Sequence, residues 1–318
     1  MIQVEHLTKY YGDHLAVEDL SFAIESGHVY GFLGPNGAGK STTMNIITGC
    51  LSATSGRVLI DGHDIFEEPD QAKRGIGYLP EHPPLYMNES PLEYLRFVGE
   101  AKGLRGEALR QQIDEDIAKT GIEGVKNRRI SALSKGYRQR VGIAQALLGS
   151  PGVIILDEPT VGLDPIQIIE IRDLIRDLGK SHTVIFSSHI LSEVQTICDQ
   201  ILMIAKGKLV AFDTPANLEK KLLSPNEILL TADCGSEDLR LILANVEHIT
   251  ELTTEPARRG TLARIKTDLP DLYDLSGSLF RAFAGSSKAI LEMSVKKGSL
   301  EDVFLELTDN KENKEEAK

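Results

Sequence analysis

The sequence has no tryptophan, few other aromatic residues and only three cysteines in 318 residues. Cys50, Cys198 and Cys234 lie far apart and form no CxxC pair. This spacing excludes the common thiolate metal motifs and a dense disulfide framework. We therefore expect inert thiols in a reducing compartment.

Long hydrophobic segments are also missing. The N-terminal stretch MIQVEHLTKYYGDH carries charges where a signal peptide needs an apolar core. No apolar run approaches the ~20 residues that a membrane-spanning helix requires. We expect the chain to be cytosolic, or to be held at a membrane only through another molecule.

Basic residues are outnumbered, 35 Lys and Arg against 47 Asp and Glu, which gives a net charge of -12. This balance argues against a nucleic-acid partner, because sequence-independent binding there depends on neutralising phosphates with Lys and Arg. The only dense basic strips are residues 126–129 and 135–140. The length of the chain and its 41% hydrophobic content suit two globular domains.

Three short apolar segments predict buried strands at residues 29–33, 153–156 and 183–186. The first leads into a glycine-rich turn and a predicted helix at 41–48. The alternation of strands and helices predicts an α/β fold with a parallel sheet covered on both faces. Ligands of such sheets bind at the carboxyl ends of the strands.

The rest of the chain predicts an inserted helical subdomain, at about residues 88–148, and a small α+β domain with the ferredoxin-like order βαββαβ. We predict strands at 227–232, 248–254, 260–266 and 288–295, helices at 238–245 and 271–284, and a last helix at 300–307. The expected domains are a P-loop core at 1–218, an accessory domain at 219–310 and a disordered tail at 311–318.

Residues 34–42, GPNGAGKST, fit the phosphate-loop (Walker A) pattern G-x-x-x-x-G-K-[ST]. In such a loop the backbone N–H groups surround a triphosphate, Lys40 reaches the outer phosphates and the Ser41 hydroxyl binds Mg²⁺. The candidate binding residues are Gly34, Pro35, Asn36, Gly37, Ala38, Gly39, Lys40, Ser41 and Thr42.

Polar side chains follow the other two predicted strands. Asp157 is placed to hold Mg²⁺ directly or through water, and Glu158 is a candidate general base for an attacking water. His189, after the next strand, could sense the terminal phosphate. Taken singly, each could be an ordinary polar residue, but all of them fall at one edge of the predicted sheet.

The stretch ISALSKGYRQRVGIAQAL, residues 130–147, places Ser134 and Gly136 at the start of a helix. A small hydroxyl residue there is ordinarily a cap for unpaired backbone N–H groups. The same N–H groups and the helix dipole also make an anion site. The local sequence leaves both interpretations open.

Residues 1 to about 218 resemble the nucleotide-binding subunits of ABC transporters. LSKGYRQR at 133–140 resembles the family signature, with Lys135 and Tyr137 in place of a glycine and a glutamine. The resemblance implies that Tyr11 stacks on adenine, that Asp164 belongs to the Asp loop and His189 to the His loop. It also implies a head-to-tail dimer in which Ser134 and Gly136 contact ATP bound to the second copy.

A further departure from the family pattern concerns the residues near the expected metal. Glu81 stands where the family usually has glutamine, so an oxygen for Mg²⁺ is kept but the amide donors are lost and a negative charge is added. The apolar segment 83–87 that follows is interpreted either as helical-subdomain core or as a groove for a short helix of a membrane partner. The closer resemblance is to type-2 exporter ATPases of the gliding-motility and copper-maturation branch, which the ending SLEDVFLELT at 299–308 supports.

The resemblance implies an ATPase with ATP and Mg²⁺ as cofactors, partnered by an integral-membrane permease and by a second copy of itself or a homologous ATPase. It would lie on the inner face of the cell membrane and would drive transport, with export favoured. The alternative is a soluble ABC-type ATPase that acts on ribosomes or nucleic acid. The intact Lys40, Asp157 and Glu158 argue against a non-hydrolysing scaffold.

Overall fold

The computed structural model describes residues 1–222, 227–269 and 272–296, and the chain divides into two compact units, residues 1–215 and 216–318. The domain boundary predicted from the sequence, between residues 218 and 219, falls within the helix Pro215–Leu222. Each unit has a hydrophobic core of its own.

The first unit combines two sheets with several helices. Its strands are β1 (Ile2–Tyr11), β2 (His14–Ile24), β3 (Val29–Leu33), β4 (Ser55–Ile60), β5 (His63–Asp64), β6 (Ile76–Leu79), β7 (Val153–Leu156), β8 (Thr183–Ser188), β9 (Gln200–Ala205) and β10 (Lys208–Asp213). Its α-helices are α1 (Lys40–Ile47), α2 (Pro69–Arg74), α3 (Pro91–Ala101), α4 (Gly106–Thr120), α5 (Lys135–Leu147), α6 (Pro165–Gly179) and α7 (Leu191–Ile197). The helix α8 (Pro215–Leu222) follows β10.

The larger sheet has the strand order β10-β9-β3-β8-β7-β6, and its strands are parallel except for β10. Every residue of β3 and β7 is buried, as expected where helices or a second sheet cover both faces. The three strands predicted from apolar runs are all present. The strand β8 extends two residues beyond its predicted end, to Ser188.

The smaller sheet, with the order β2-β1-β4-β5, is antiparallel and was not predicted from the sequence. Its inner face packs on the larger sheet in one hydrophobic cluster. Phe22 of β2 and Phe32 of β3 have ring centroids 6.1 Å apart and join the two layers. This packing fixes the β1–β2 hairpin beside the end of β3.

The helical subdomain is built from α3, α4 and α5 around its own apolar cluster. The start of α3 is a capping box: the Glu93 N–H donates to Ser90 Oγ at 3.3 Å, and the Ser90 N–H donates to Glu93 Oε2 at 2.8 Å. Pro91 occupies the first turn. These features fix the point at which the chain enters the subdomain.

The second unit contains β11 (Glu227–Ala232), α9 (Ser236–Leu243), β12 (Ile249–Pro256), β13 (Thr261–Thr267), α10 (Leu272–Ala284) and β14 (Ile290–Lys296). The sheet order is β12-β13-β11-β14 and each neighbouring pair is antiparallel. This arrangement confirms the ferredoxin-like prediction. The helix predicted at 300–307, the ending at 299–308 and the tail at 311–318 lie outside the described residues.

All three cysteines are free thiols, with Cys198 and Cys234 buried and Cys50 exposed. Burial raises the pKa of the Cys198 thiol, which disfavours the reactive thiolate. Within the described parts of the chain, no helix combines the length and the apolar character needed to cross a bilayer.

Candidate active site

A cavity of about 510 Å³ opens at the carboxyl ends of β3 and β8. It brings together residues from the phosphate loop, from the end of β1 and from the segments after β6, β7 and β8. The lining residues are Tyr11, His14, Ala16, Asn36, Gly37, Gly39, Lys40, Ser41, Thr42, Glu81, Glu158, Val161 and His189.

Two of the three glycines in the phosphate loop lie too close to neighbouring backbone to carry a side chain. Gly39 has φ 101°, and a Cβ atom there would lie 2.6 Å from the Ala16 carbonyl oxygen. At Gly34 a Cβ atom would lie 2.4 Å from the Ile204 carbonyl oxygen. Any other residue would push the loop away from its neighbours, so both glycines are required by the packing.

Lys40, at the start of α1, is only 5% exposed and folds back over the loop. Its Nζ donates to the carbonyl oxygens of Gly34 at 2.8 Å and Pro35 at 3.2 Å, and lies 3.5 Å from Glu158 Oε1. A buried cation is thereby held at the floor of the cavity, where it can pair with an anionic ligand.

Ser41, Asp157 and Ser187 form a chain of oxygen atoms beside the loop. The Ser41 hydroxyl donates to Asp157 Oδ1 at 3.3 Å, and the Ser187 hydroxyl donates to the same oxygen at 2.6 Å. Asp157 is 2% exposed. A serine hydroxyl and a carboxylate are hard oxygen ligands, so this donor set fits Mg²⁺, which typically binds one or two carboxylates together with substrate phosphates.

Glu158 and His189 meet at the cavity wall, with Glu158 Oε2 3.0 Å from His189 Nδ1. Glu158 is buried, whereas the His189 side chain is 40% exposed. The Glu158 backbone has φ 47°, in the left-handed region, which costs about 1–3 kcal/mol for a non-glycine residue. Its N–H donates to the Ser187 hydroxyl oxygen at 2.8 Å, which helps to hold this conformation.

Ser134, Gly136 and Asp164 do not line this cavity but a second one of about 440 Å³. The Ser134 hydroxyl caps α5 by accepting a hydrogen bond from the Tyr137 N–H at 3.4 Å. Asp164 caps α6 by accepting from the Gln167 N–H at 2.9 Å. Within one chain, the capping interpretation of Ser134 therefore describes its contacts.

Sequence reasoning missed several residues of the first cavity. His14, Ala16 and Val161 line it, and Ser187 supports Asp157 and Glu158 from the end of β8. Ser187 directly follows the strand predicted at 183–186, but no sequence pattern distinguished it. His14 and Ala16, which belong to the β1–β2 hairpin, gave no signal because the smaller sheet itself was not predicted.

The strand β3, the glycine loop and the helix α1, with an acidic pair at the end of β7 in the same sheet, define a P-loop ATPase. The ABC transporter family model matches residues 17–161. The chain is 31% identical to the linearmycin resistance ATP-binding protein LnrL of Bacillus subtilis (strain 168), over 97% of this chain and 98% of that protein. It is 33% identical to the bacitracin transport ATP-binding protein BcrA of Bacillus licheniformis, over 96% of this chain and 97% of that protein.

A solved structure of an ATP-binding cassette has the same fold. The ATP-binding cassette MJ0796, in a dimeric post-hydrolysis state bound to ADP and Pi, superposes with a TM-score of 0.61 at 26% identity, covering 67% of this chain and 98% of that chain. The chain belongs to the ABC transporter ATP-binding family. It is an ATP-binding, ATP-hydrolysing subunit of an ABC transporter, as the sequence resemblance implied.

Proposed function

We propose that the 510 Å³ cavity is the site of ATP hydrolysis and that Glu158 is its general base. One observation carries this assignment: the buried Glu158 carboxylate lies 3.0 Å from His189 and 3.5 Å from Lys40 Nζ, on the wall of a cavity that the phosphate loop also lines. The candidate base Glu158, His189 and the buried Lys40 cation thus converge where a terminal phosphate would bind.

In the proposed reaction a water attacks the γ-phosphorus of ATP and gives its proton to Glu158. A bond forms from the water oxygen to phosphorus, and the bond from phosphorus to the ADP oxygen breaks, leaving ADP and inorganic phosphate. Lys40 and the backbone N–H groups of the phosphate loop hold the phosphates. His189 holds Glu158 and senses the γ-phosphate.

Tyr11 and Glu81 complete the proposed nucleotide site. Tyr11, at the end of β1, is 48% exposed on the cavity lining and is proposed to stack on adenine. Ser41 and Asp157, with Glu81, would hold Mg²⁺. When bound, this ion would neutralise charge on the phosphate oxygens.

The second cavity is proposed to complete the site of another copy. One chain carries one phosphate loop and, on a different cavity, the helix start at Ser134 and Gly136 with Asp164 beside it. A two-fold head-to-tail dimer uses both surfaces twice. The dimeric state described for MJ0796 supports this proposal. The second subunit would be the same chain or a homologous ATPase.

A membrane permease is proposed to dock at the exposed aromatic residues of the helical subdomain. Tyr86 is 49% and Phe97 51% exposed, and their ring centroids lie 5.2 Å apart. Met87, beside them, is 39% exposed. An exposed cluster of this kind is typical of a protein interface, and it favours the groove interpretation of segment 83–87.

We propose that this transporter exports its substrate and that the chain is held on the inner face of the membrane by its permease. The relatives LnrL, a linearmycin resistance ATP-binding protein, and BcrA, a bacitracin transport ATP-binding protein, favour export. The signature LSKGYRQR at 133–140 favours the gliding-motility and copper-maturation branch of type-2 exporters. The accessory domain, predicted at 219–310, is proposed to support the dimer or to regulate it.

The test of the catalytic assignment compares Glu158→Gln with Glu67→Gln, a control at an exposed position. We expect Glu158→Gln to bind ATP and to lose about 10²–10⁴-fold in turnover, the usual contribution of a general base. The control should hydrolyse ATP at the native rate. Native turnover in Glu158→Gln would contradict the assignment.

The test of the transport assignment is a pull-down of the tagged chain from detergent-solubilised membranes of its host, followed by mass spectrometry. A polytopic membrane protein in stoichiometric amount is expected. Ribosomes or nucleic-acid proteins in its place, with ATPase activity intact, would favour the soluble alternative.

A further inference from the structure

Glu193, in the first turn of α7, is a buried carboxylate outside the proposed reaction. It is 1% exposed. Its Oε2 accepts hydrogen bonds from the Thr160 hydroxyl at 2.8 Å and from the Ser188 hydroxyl at 2.9 Å. Its Oε1 lies 3.2 Å from Arg172 Nη2. One side chain therefore joins α7 to three other segments.

Such a group is costly to bury, since desolvating a carboxylate costs several kcal/mol even after relaxation. The ion pair with Arg172 offsets the cost only in part, because neither Glu193 Oε1 nor Arg172 Nε has a hydrogen-bond partner among the described residues. The other buried residues of α7, Leu191, Val194 and Ile197, are apolar. If position 193 only packed α7 against its neighbours, an apolar side chain there would do so equally well.

The two hydroxyl donors flank the proposed catalytic pair. Thr160 lies two residues after Glu158, and Ser188 lies directly before His189. The Ser188 oxygen also accepts a hydrogen bond from the Ile190 N–H at 3.0 Å. A hydroxyl has one proton to donate, so Ser188 closes the backbone around His189 and directs its proton to Glu193.

Arg172 adds a third segment to this network. It belongs to α6, whose first turn is capped by Asp164 of the Asp loop. The segment after Glu158, the segment with His189 and the helix after Asp164 therefore meet at one carboxylate. The distance of 3.0 Å between Glu158 Oε2 and His189 Nδ1 depends on how the first two segments are held.

We infer that Glu193 is a positioning residue for ATP hydrolysis. Through Thr160 and Ser188 it keeps Glu158 and His189 at hydrogen-bonding distance from each other. The inference rests on the proposed role of Glu158 as general base. Glu193 is not among the residues that line the 510 Å³ cavity, so the proposed role involves no direct contact with ATP or with the attacking water.

The test replaces Glu193 by glutamine, which has the same shape but lacks the charge and one of the two acceptor oxygens. We expect turnover to fall by about 10–100-fold, because a displacement of about 1 Å in a catalytic group can have that effect. The dissociation constant for ATP should change by less than about twofold, since the phosphate loop is untouched. Ser192→Ala, at the exposed neighbouring position on α7, is the matched control and should keep native turnover.

A double-mutant cycle with His189→Ala separates positioning from a general loss of structure. If Glu193 acts through the Glu158–His189 pair, Glu193→Gln should reduce turnover much less in the His189→Ala background than in the native chain. Equal fold-losses in both backgrounds would overturn the inference, and so would native turnover in the single variant.

Two further variants keep the inference testable if Glu193→Gln does not fold. Thr160→Val and Ser188→Ala each remove one donor and leave the carboxylate in place. Each should lower turnover severalfold with ATP binding unchanged, and native turnover in both would overturn the inference. If the native chain and Ser192→Ala do not hydrolyse ATP, the proposed function fails as well. If they do, a failure concerns Glu193 alone.

Discussion

Ser187 connects Asp157 and Glu158 through one hydroxyl group, and we expect Ser187→Ala to weaken both stability and catalysis. The side chain is fully buried. It donates to Asp157 Oδ1 at 2.6 Å and accepts from the Glu158 N–H at 2.8 Å. Alanine removes both hydrogen bonds and changes little else at this site.

The stability effect follows from the partners that are left behind. Asp157 keeps the Ser41 hydroxyl as a donor, but the buried Glu158 N–H loses its acceptor, which costs about 1–3 kcal/mol. At roughly 2–4 °C per kcal/mol for a unit of this size, a central value of about 2 kcal/mol corresponds to a fall of about 4–8 °C in Tm.

The catalytic effect has a separate cause. Glu158 adopts φ 47°, a conformation that needs support from its surroundings. Without the Ser187 oxygen the carboxylate can move away from His189, and turnover should fall by about 10-fold or more. Calorimetry and an ATPase assay on the same preparations measure both effects, with Ser192→Ala as the exposed serine control. Native Tm together with native turnover in Ser187→Ala would refute the reasoning.

Three other predictions concern different parts of the chain. Burial raises the pKa of Asp116 to about 7, so its contribution to stability is complete below about pH 4, the pKa of an unfolded aspartate, and is lost as the pH rises through about 7. In thermal melts, Asp116→Asn should therefore gain stability relative to the native chain between pH 4 and pH 7. A difference in stability that stays constant with pH would contradict this prediction. Glu81→Gln removes a negative charge from the cavity lining and should tighten ATP binding by roughly two- to fivefold, the effect of an exposed charge interaction of up to about 1 kcal/mol. A fluorescence titration that finds weaker ATP binding would contradict this prediction. Tyr86→Ala should lower permease affinity by about 10-fold or more, as expected for a central aromatic contact, while the ATPase rate of the isolated chain stays native; unchanged recovery of the permease would count against the docking surface.

The fold was predictable where the signal was local. The strand β7 is a continuous apolar run, and β3 is nearly so, because each is covered on both faces. The β1–β2 hairpin was missed, since its pairing contains several register shifts and positive φ values at His6 and Asp19. Such bulges break the alternation of apolar and polar residues from which a strand is recognised.

In the candidate site, too, contiguous motifs could be predicted and single residues distant in sequence could not. The phosphate-loop pattern could be recognised in the sequence, because its residues are contiguous and its glycine spacing is imposed by the backbone, and six of its nine candidate residues line the cavity. Ser187 lies 30 residues from Asp157, and Glu193 lies 33 residues from Thr160. A single serine or glutamate at such a separation has no pattern that distinguishes it from an ordinary surface residue.

The phosphate-loop pattern, the acidic strand end and the ferredoxin-like order of the last domain could be predicted from the sequence, since each depends on spacing and local propensity. Which side chains meet could be seen only in the folded chain. The tertiary structure placed Ser134 and Asp164 in a cavity other than that of Lys40, and it brought Glu193 between the segments that carry Glu158 and His189. The physical reason is that hydrogen bonds and ion pairs act over a few ångströms, and those distances are set by how the sheets and helices pack.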